Sequence, residues 1–146
     1  MKTHELIQFF GEAIEIVVPS SMSNYTVCVG IQTSPRGGGP PPHRHLRKEE
    51  TFIVPDGMYE FFDGSLRTPI KPGEARCSMR GSYHAFRNVG TTVGRLMFVT
   101  NGGGLDEYFQ EISNLVLPKD MDRLNEISHF YNYEFAAPEP QATAIT

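Results

Sequence analysis

No tryptophan occurs in this sequence, and 146 residues hold only two cysteines, Cys28 and Cys77. So far apart, they match no paired zinc spacing and build no disulfide framework; they read as two half-buried, reduced thiols in strands. No stretch approaches the ~20 consecutive apolar residues of a bilayer-spanning helix. Basic residues are outnumbered, 13 Lys and Arg against 17 Asp and Glu, giving a formal net charge of −4. That balance argues against a nucleic-acid partner, which needs a basic face, and the one basic run, HRHLRK, leads straight into Glu49 and Glu50. The N-terminal MKTHELIQFFGEAIEI scatters charges and shows no signal-peptide core, so a cytoplasmic protein without a membrane partner is expected. At this length the chain reads as one domain, residues 1–146, able to bury a core without disulfides.

What is abundant is short β-prone segments. Glu15–Val18, Asn24–Thr33, Thr51–Pro55, Met58–Phe62, Glu74–Arg80 and Arg95–Thr100 are rich in β-branched and aromatic residues and are separated by Gly, Pro, Asn or Asp. Tyr25, Val27, Val29, Ile31 and Thr33 alternate with Thr26, Cys28, Gly30 and Gln32, as in a strand with one core face. Asp56-Gly57 and Asp63-Gly64 have the chemistry of hairpin turns. This spacing predicts an all-β antiparallel sandwich or barrel over residues of about 15–100. The first ten or so residues read as a short helix or arm. After Asn101 one or two helices are predicted within residues of about 104–131. The first places Leu105, Tyr108, Phe109 and Ile112 on one face, with Asp106 and Glu107 in its first turn. The second runs from Met121 to about Phe130, with Asp120 as N-cap and Met121, Leu124 and Ile127 inward. A polar, proline-containing tail over about 138–146 reads as disordered.

Chemistry concentrates in GGGPPPHRHLRKEETFIVPDG, Gly37 to Gly57, and in GSYHAFRNVG around His84. Residues two apart on a strand share a face, so His43 and His45 project together and Arg44 projects away. The glycine run allows a tight turn and the prolines stiffen the approach. Glu50 then opens a strand on its inward face, shared by Phe52 and Val54. In the second segment Gly73, Gly81, His84 and Asn88 describe a strand, a glycine turn carrying one imidazole, and a further strand. Three imidazoles and one carboxylate suit a borderline or hard divalent transition metal.

The two segments resemble the paired motifs of the cupin superfamily, a β-barrel or jelly-roll (double-stranded β-helix) fold. The resemblance implies that His43, His45, Glu50 and His84 bind one divalent transition metal per chain, whether Fe, Mn, Ni, Cu or Zn. It departs at Met79, where the family's second motif carries proline. Residues of about 25–137, including NYEFAAP near the end, look like the small single-domain cupins described as quercetin 2,3-dioxygenase-like. That likeness implies a metal-dependent dioxygenase-like oxidoreductase acting on a small enolic or aromatic compound, Glu50 serving as ligand and catalytic base, and a homodimer. The N-terminal HELIQFFGEAIEIVV is the candidate segment for covering a neighbouring subunit. The same barrel also accommodates a non-catalytic small-molecule sensor, or a redox-neutral isomerase, lyase or cyclase. Candidate pocket residues are Phe52, Val54, Tyr59, Phe61, Met79, Met97 and Phe98. Tyr83 reads as an exposed turn residue or as a hydrogen-bonding partner for substrate.

Overall fold

The computed structural model describes residues 5–137, so the tail assigned to 138–146 lies outside the described residues. Eleven strands and two helices follow one another as β1 (Glu5–Phe9), β2 (Glu12–Val18), β3 (Cys28–Ser34), β4 (His43–His45), β5 (Glu50–Asp56), β6 (Tyr59–Phe62), β7 (Arg67–Ile70), β8 (Ala75–Ser78), β9 (Ala85–Asn88), β10 (Gly94–Thr100), α1 (Leu105–Ile112), α2 (Met121–Phe130) and β11 (Tyr133–Phe135). A six-stranded sheet has the order β1-β2-β3-β10-β5-β8, a three-stranded sheet the order β7-β6-β9, and β11 pairs with β4. All these pairings are antiparallel. The chain forms the expected jelly-roll, and of the one or two C-terminal helices expected it has two.

The N-terminal segment is a correction. Instead of a helix or arm, residues 5–9 form a strand that pairs with β2 through the turn Phe10-Gly11. Both turn residues have positive φ, 49° and 80°, the backbone twist that favours two-residue hairpins. Asp63-Gly64 likewise joins the paired strands β6 and β7. Asp56-Gly57 does not make a hairpin: β5 and β6 belong to different sheets, and the glycine turns the corner between them.

The interior face of β3 carries Cys28, Gly30, Gln32 and Ser34, while Val29, Ile31 and Thr33 lie half-buried on the outer face. Small residues go inside because a large ring already occupies that space: a Cβ on Gly30 would sit 2.3 Å from the Phe98 ring. The strand also begins later than its alternation suggests, since Asn24 and Tyr25 hold left-handed φ of 53° and 61°. Cys28 is fully buried and Cys77 exposed, so the two thiols are free but not half-buried alike.

Helix α1 packs the predicted Leu105, Tyr108, Phe109 and Ile112 against the barrel. Asp106 is buried too, because its carboxylate accepts from the backbone N–H of Ser20 at 2.9 Å and from the Ser20 hydroxyl. Helix α2 has the expected bounds and buries Leu124 and Ile127. Its Met121 is 42% exposed, against expectation, and Asp120 stands at the N-cap as expected, though its carboxylate accepts from the Val116 N–H at 2.8 Å and not from the helix. No helix is long and apolar enough to cross a membrane among the described residues.

Candidate metal centre

Three short elements bring the four ligand-type side chains together. His43 and His45 face inward from β4, Arg44 faces out, and the Arg44 guanidinium meets Glu134 on β11 at 2.8 Å. The backbones of His43 and His84 exchange two hydrogen bonds, at 3.0 and 2.8 Å, which fixes the second motif against the first. Glu50 stands at the start of β5, opposite both Thr100 and Ser78. The four residues are 1–5% exposed, and their ligand atoms all lie within 4.8 Å of one another.

Neighbouring acceptors settle which imidazole nitrogen faces the centre. Nδ1 of His43 lies 2.9 Å from the Pro41 carbonyl oxygen, which can only accept, so Nδ1 carries the proton and Nε2 the lone pair. Nδ1 of His84 contacts Ser78 Oγ at 2.9 Å and the Ser82 carbonyl oxygen at 3.3 Å, acceptors for an Nδ1 proton when a metal takes Nε2. His84 Nε2 sits 3.1 Å from Glu50 Oε2. His45 Nε2 is closer still, 2.7 Å from the same oxygen, yet it is buried at an angle that makes no hydrogen bond. A buried ring nitrogen that makes no well-aligned hydrogen bond, aimed where two other nitrogens and a carboxylate converge, fits a metal ligand better than a structural histidine. Three nitrogens and one oxygen are a donor set for a single divalent first-row ion, and the residues present fit one.

Electrostatics agree with that fit. Burial, together with the neighbouring His84 and His45, holds His43 well below its ordinary value of 6.5, so it stays neutral and able to coordinate. Burial alone would raise the Glu50 carboxyl, but the imidazoles of His45 and His84 outweigh it and hold the group far below 4.5.

A cavity of about 90 Å³ reaches this cluster, with His43, His45 and Glu50 in its wall. The rest of the wall is largely aromatic. Phe98 and Phe86 come from the barrel, Tyr108 and Phe109 from α1, Tyr133 and Phe135 from β11, and Phe9 and Phe10 from the N-terminal hairpin. Of the pocket residues named from sequence, Phe98 lines the cavity. Phe52, Val54, Tyr59 and Phe61 are barrel core, Met97 is half-buried on the outer face, and Met79 is 59% exposed. Met79 therefore forms no pocket wall. Tyr83 lies outside the cavity, under the Arg44 guanidinium at 4.7 Å, with its hydroxyl 3.3 Å from Glu134.

Tyr133 lies in the NYEFAAP segment that carries part of the family resemblance, but is not among the site residues named from sequence. Its ring stacks on His43 (4.5 Å, 7°), meets His45 edge-on (5.0 Å, 90°) and stacks on Tyr108 (4.6 Å, 28°). It pairs in register with His45 across the β4–β11 ribbon. The pairing follows only once α1 and α2 have carried the chain back to β4.

The geometry defines a double-stranded β-helix with a three-histidine, one-glutamate cluster inside the barrel. Residues 30–100 match the family model "Cupin domain", and with this fold that match supports membership of the cupin superfamily. Similar solved structures agree on the fold. KdgF from Halomonas sp. superposes with a TM-score of 0.64 at 17% identity, covering 71% of this chain and 93% of that one. A predicted oxalate decarboxylase from Thermotoga maritima gives 0.60 at 22% identity, over 68% and 92% of the two chains. An oxalate oxidase gives 0.55 at 24% identity, over 63% and 51%. No curated protein sequence matches the chain.

Proposed function

We propose that the protein is a metal-dependent oxidoreductase of dioxygenase type acting on a small enolic or aromatic compound. The observation that carries this reading is the placement of the cluster in the wall of a small, aromatic cavity. His43, His45, Glu50 and His84 would hold the metal. When bound, that ion would supply a Lewis acid for the substrate's oxygen donors and, if redox-active, a partner for dioxygen.

The protein's own groups do the rest. Glu50 is held ionised by the neighbouring imidazoles and can accept a substrate hydroxyl proton, as from an enol or a catechol. Phe98, Phe109 and Tyr108 exclude water and supply aromatic surface for a planar substrate. A volume of about 90 Å³ is well below that of pockets for drug-sized ligands, which favours a single-ring or shorter compound over a flavonol. Oxalate oxidase shares the fold, but no Lys or Arg lines this cavity to pair with a second carboxylate, which disfavours a dicarboxylic substrate here.

The direct test loads the protein with iron, manganese, nickel, copper and zinc in turn and screens enols and catechols with an oxygen electrode. Oxygen uptake that requires both metal and Glu50 supports the proposal. Turnover without oxygen would replace it with a redox-neutral reaction, and a ligand-induced rise in melting temperature with no turnover would replace it with a sensor.

A homodimer is part of the same proposal. On the outer face of the large sheet, Ile31, Met97 and Ile53 stand in one cross-strand row and Val29, Val99 and Thr51 in the next, all half-buried. Residues 5–18 complete the chain's own sheet, so this apolar face, with exposed Leu6 at its edge, is the surface that a second copy would cover.

A further inference from the structure

One wall of the cavity carries a charge that the metal cluster does not use. Glu12 opens β2 and Gln32 lies on the adjacent β3; both face inward, 8% and 6% exposed, and both line the cavity. The Gln32 amide donates to Glu12, Nε2 to Oε2 at 3.2 Å. Among the described residues this is the one hydrogen bond of the Glu12 side chain, and no cation pairs with it. With one of the two Gln32 N–H groups committed in this way, the pair presents more acceptors than donors to the cavity: the other lone pairs of Glu12 and the Gln32 carbonyl oxygen against one remaining amide N–H.

This is an expensive arrangement for a fold. A buried carboxylate with a single neutral donor, in a cavity walled by Phe9, Phe98 and Phe109, forfeits hydration that a leucine at the same inward position would never need. No described contact offsets that cost, whereas a ligand donor would. The pair is also well separated from the metal end. Glu50 stands in register with Thr100, and Thr100 with Cys28. Gln32 lies further along β3 by 32 − 28 = 4 residues, ~13 Å at a strand rise of ~3.3 Å per residue.

We infer that Glu12 and Gln32 form the second polar contact of the substrate pocket, and that the substrate carries a hydroxyl or amine hydrogen-bond donor at the end opposite its metal-binding oxygens. The inference rests on reading this cavity as the substrate pocket. It also selects against a carboxylate or phosphate at that end, which would face Glu12 with no Lys or Arg in the wall.

Binding to the zinc-loaded, full-length protein tests this without turnover. Calorimetric titrations would compare catechols bearing 4-ethyl, 4-(2-hydroxyethyl), 4-(2-aminoethyl) and 4-carboxymethyl groups. The hydroxyl and amine compounds are expected to bind about tenfold or more tightly than the ethyl compound, with the carboxylate weakest. Glu12→Leu should bring the donor-to-ethyl ratio within about twofold. Glu12→Gln, which keeps the shape and guards against misfolding in the first variant, should abolish the amine preference and melt higher than wild type when ligand-free. Which donor binds more tightly distinguishes alcohol from amine. Equal binding of all four compounds would overturn the inference while leaving the proposed reaction standing. A Glu12→Gln variant that melts several degrees lower would also overturn it, marking Glu12 as a structural tie. Failure of every catechol to bind would overturn the pocket assignment on which both rest.

Discussion

Replacing Tyr133 with alanine probes how the barrel holds its imidazoles. The ring is 7% exposed and touches His43, His45, Tyr108 and Phe135. An aromatic ring buries ~150–250 Å², and truncating one to alanine in a core costs ~3–5 kcal/mol. The Tyr133 hydroxyl makes no hydrogen bond among the described residues, so Tyr133→Phe should stay within ~1 kcal/mol of wild type. Urea unfolding of the metal-free protein measures both: alanine should shift the midpoint strongly at constant slope, and phenylalanine should barely move it. Because β11 pairs with the strand that carries two imidazoles, the alanine variant should also lose metal affinity, ~10–100-fold as for other groups that orient metal ligands. A loss below ~1 kcal/mol would refute the argument that β11 braces β4. Normal metal affinity in a destabilised alanine variant would show that the Pro41 carbonyl alone orients His43.

Gly30→Ala places a methyl group 2.3 Å from the Phe98 ring, so it should cost ~1–3 kcal/mol, push the ring into the cavity and weaken catechol binding; calorimetry checks both effects. Acid should unfold the metal-free protein early. The unfolded chain takes up a proton on His43 as pH falls through 6.5 while the folded chain does not, and the same holds for Glu50 below 4.5. Stability is therefore full above about 6.5 and declines below it by up to ~1.4 kcal/mol per pH unit for each group, measurable as melting temperature against pH. Light scattering at micromolar concentration should return twice 16.4 kDa, and Ile31→Asp on the outer face should return the monomer; a monomeric wild type would remove the dimer.

The site's ligands were legible because their spacing is local. His43 and His45 share a face by strand periodicity, and Glu50 and His84 each begin or precede a strand whose alternation places them inside. The cavity wall was not legible for the opposite reason. Tyr133 reaches His43 only through a pairing between residues ninety positions apart, Glu134 with Arg44, that no local pattern announces. Phe9 and Phe10 reach the cavity through a hairpin whose turn has no asparagine or aspartate before its glycine, so the segment reads as a short helix or arm. Helix α1 showed its apolar face plainly, but helical periodicity does not tell core packing from cavity lining, and Tyr108 and Phe109 do both. On β3 the alternation was legible and the identity of the inward face was not, because a glycine inside makes room for Phe98.

Anomalous diffraction at the absorption edge of a loaded first-row metal tests the central claim most directly. The account predicts one peak per chain inside the barrel, ~2.0–2.2 Å from Nε2 of His43, His45 and His84 and from a Glu50 carboxylate oxygen. A folded, metal-saturated protein whose anomalous peak lies anywhere else, or that shows none, would contradict it.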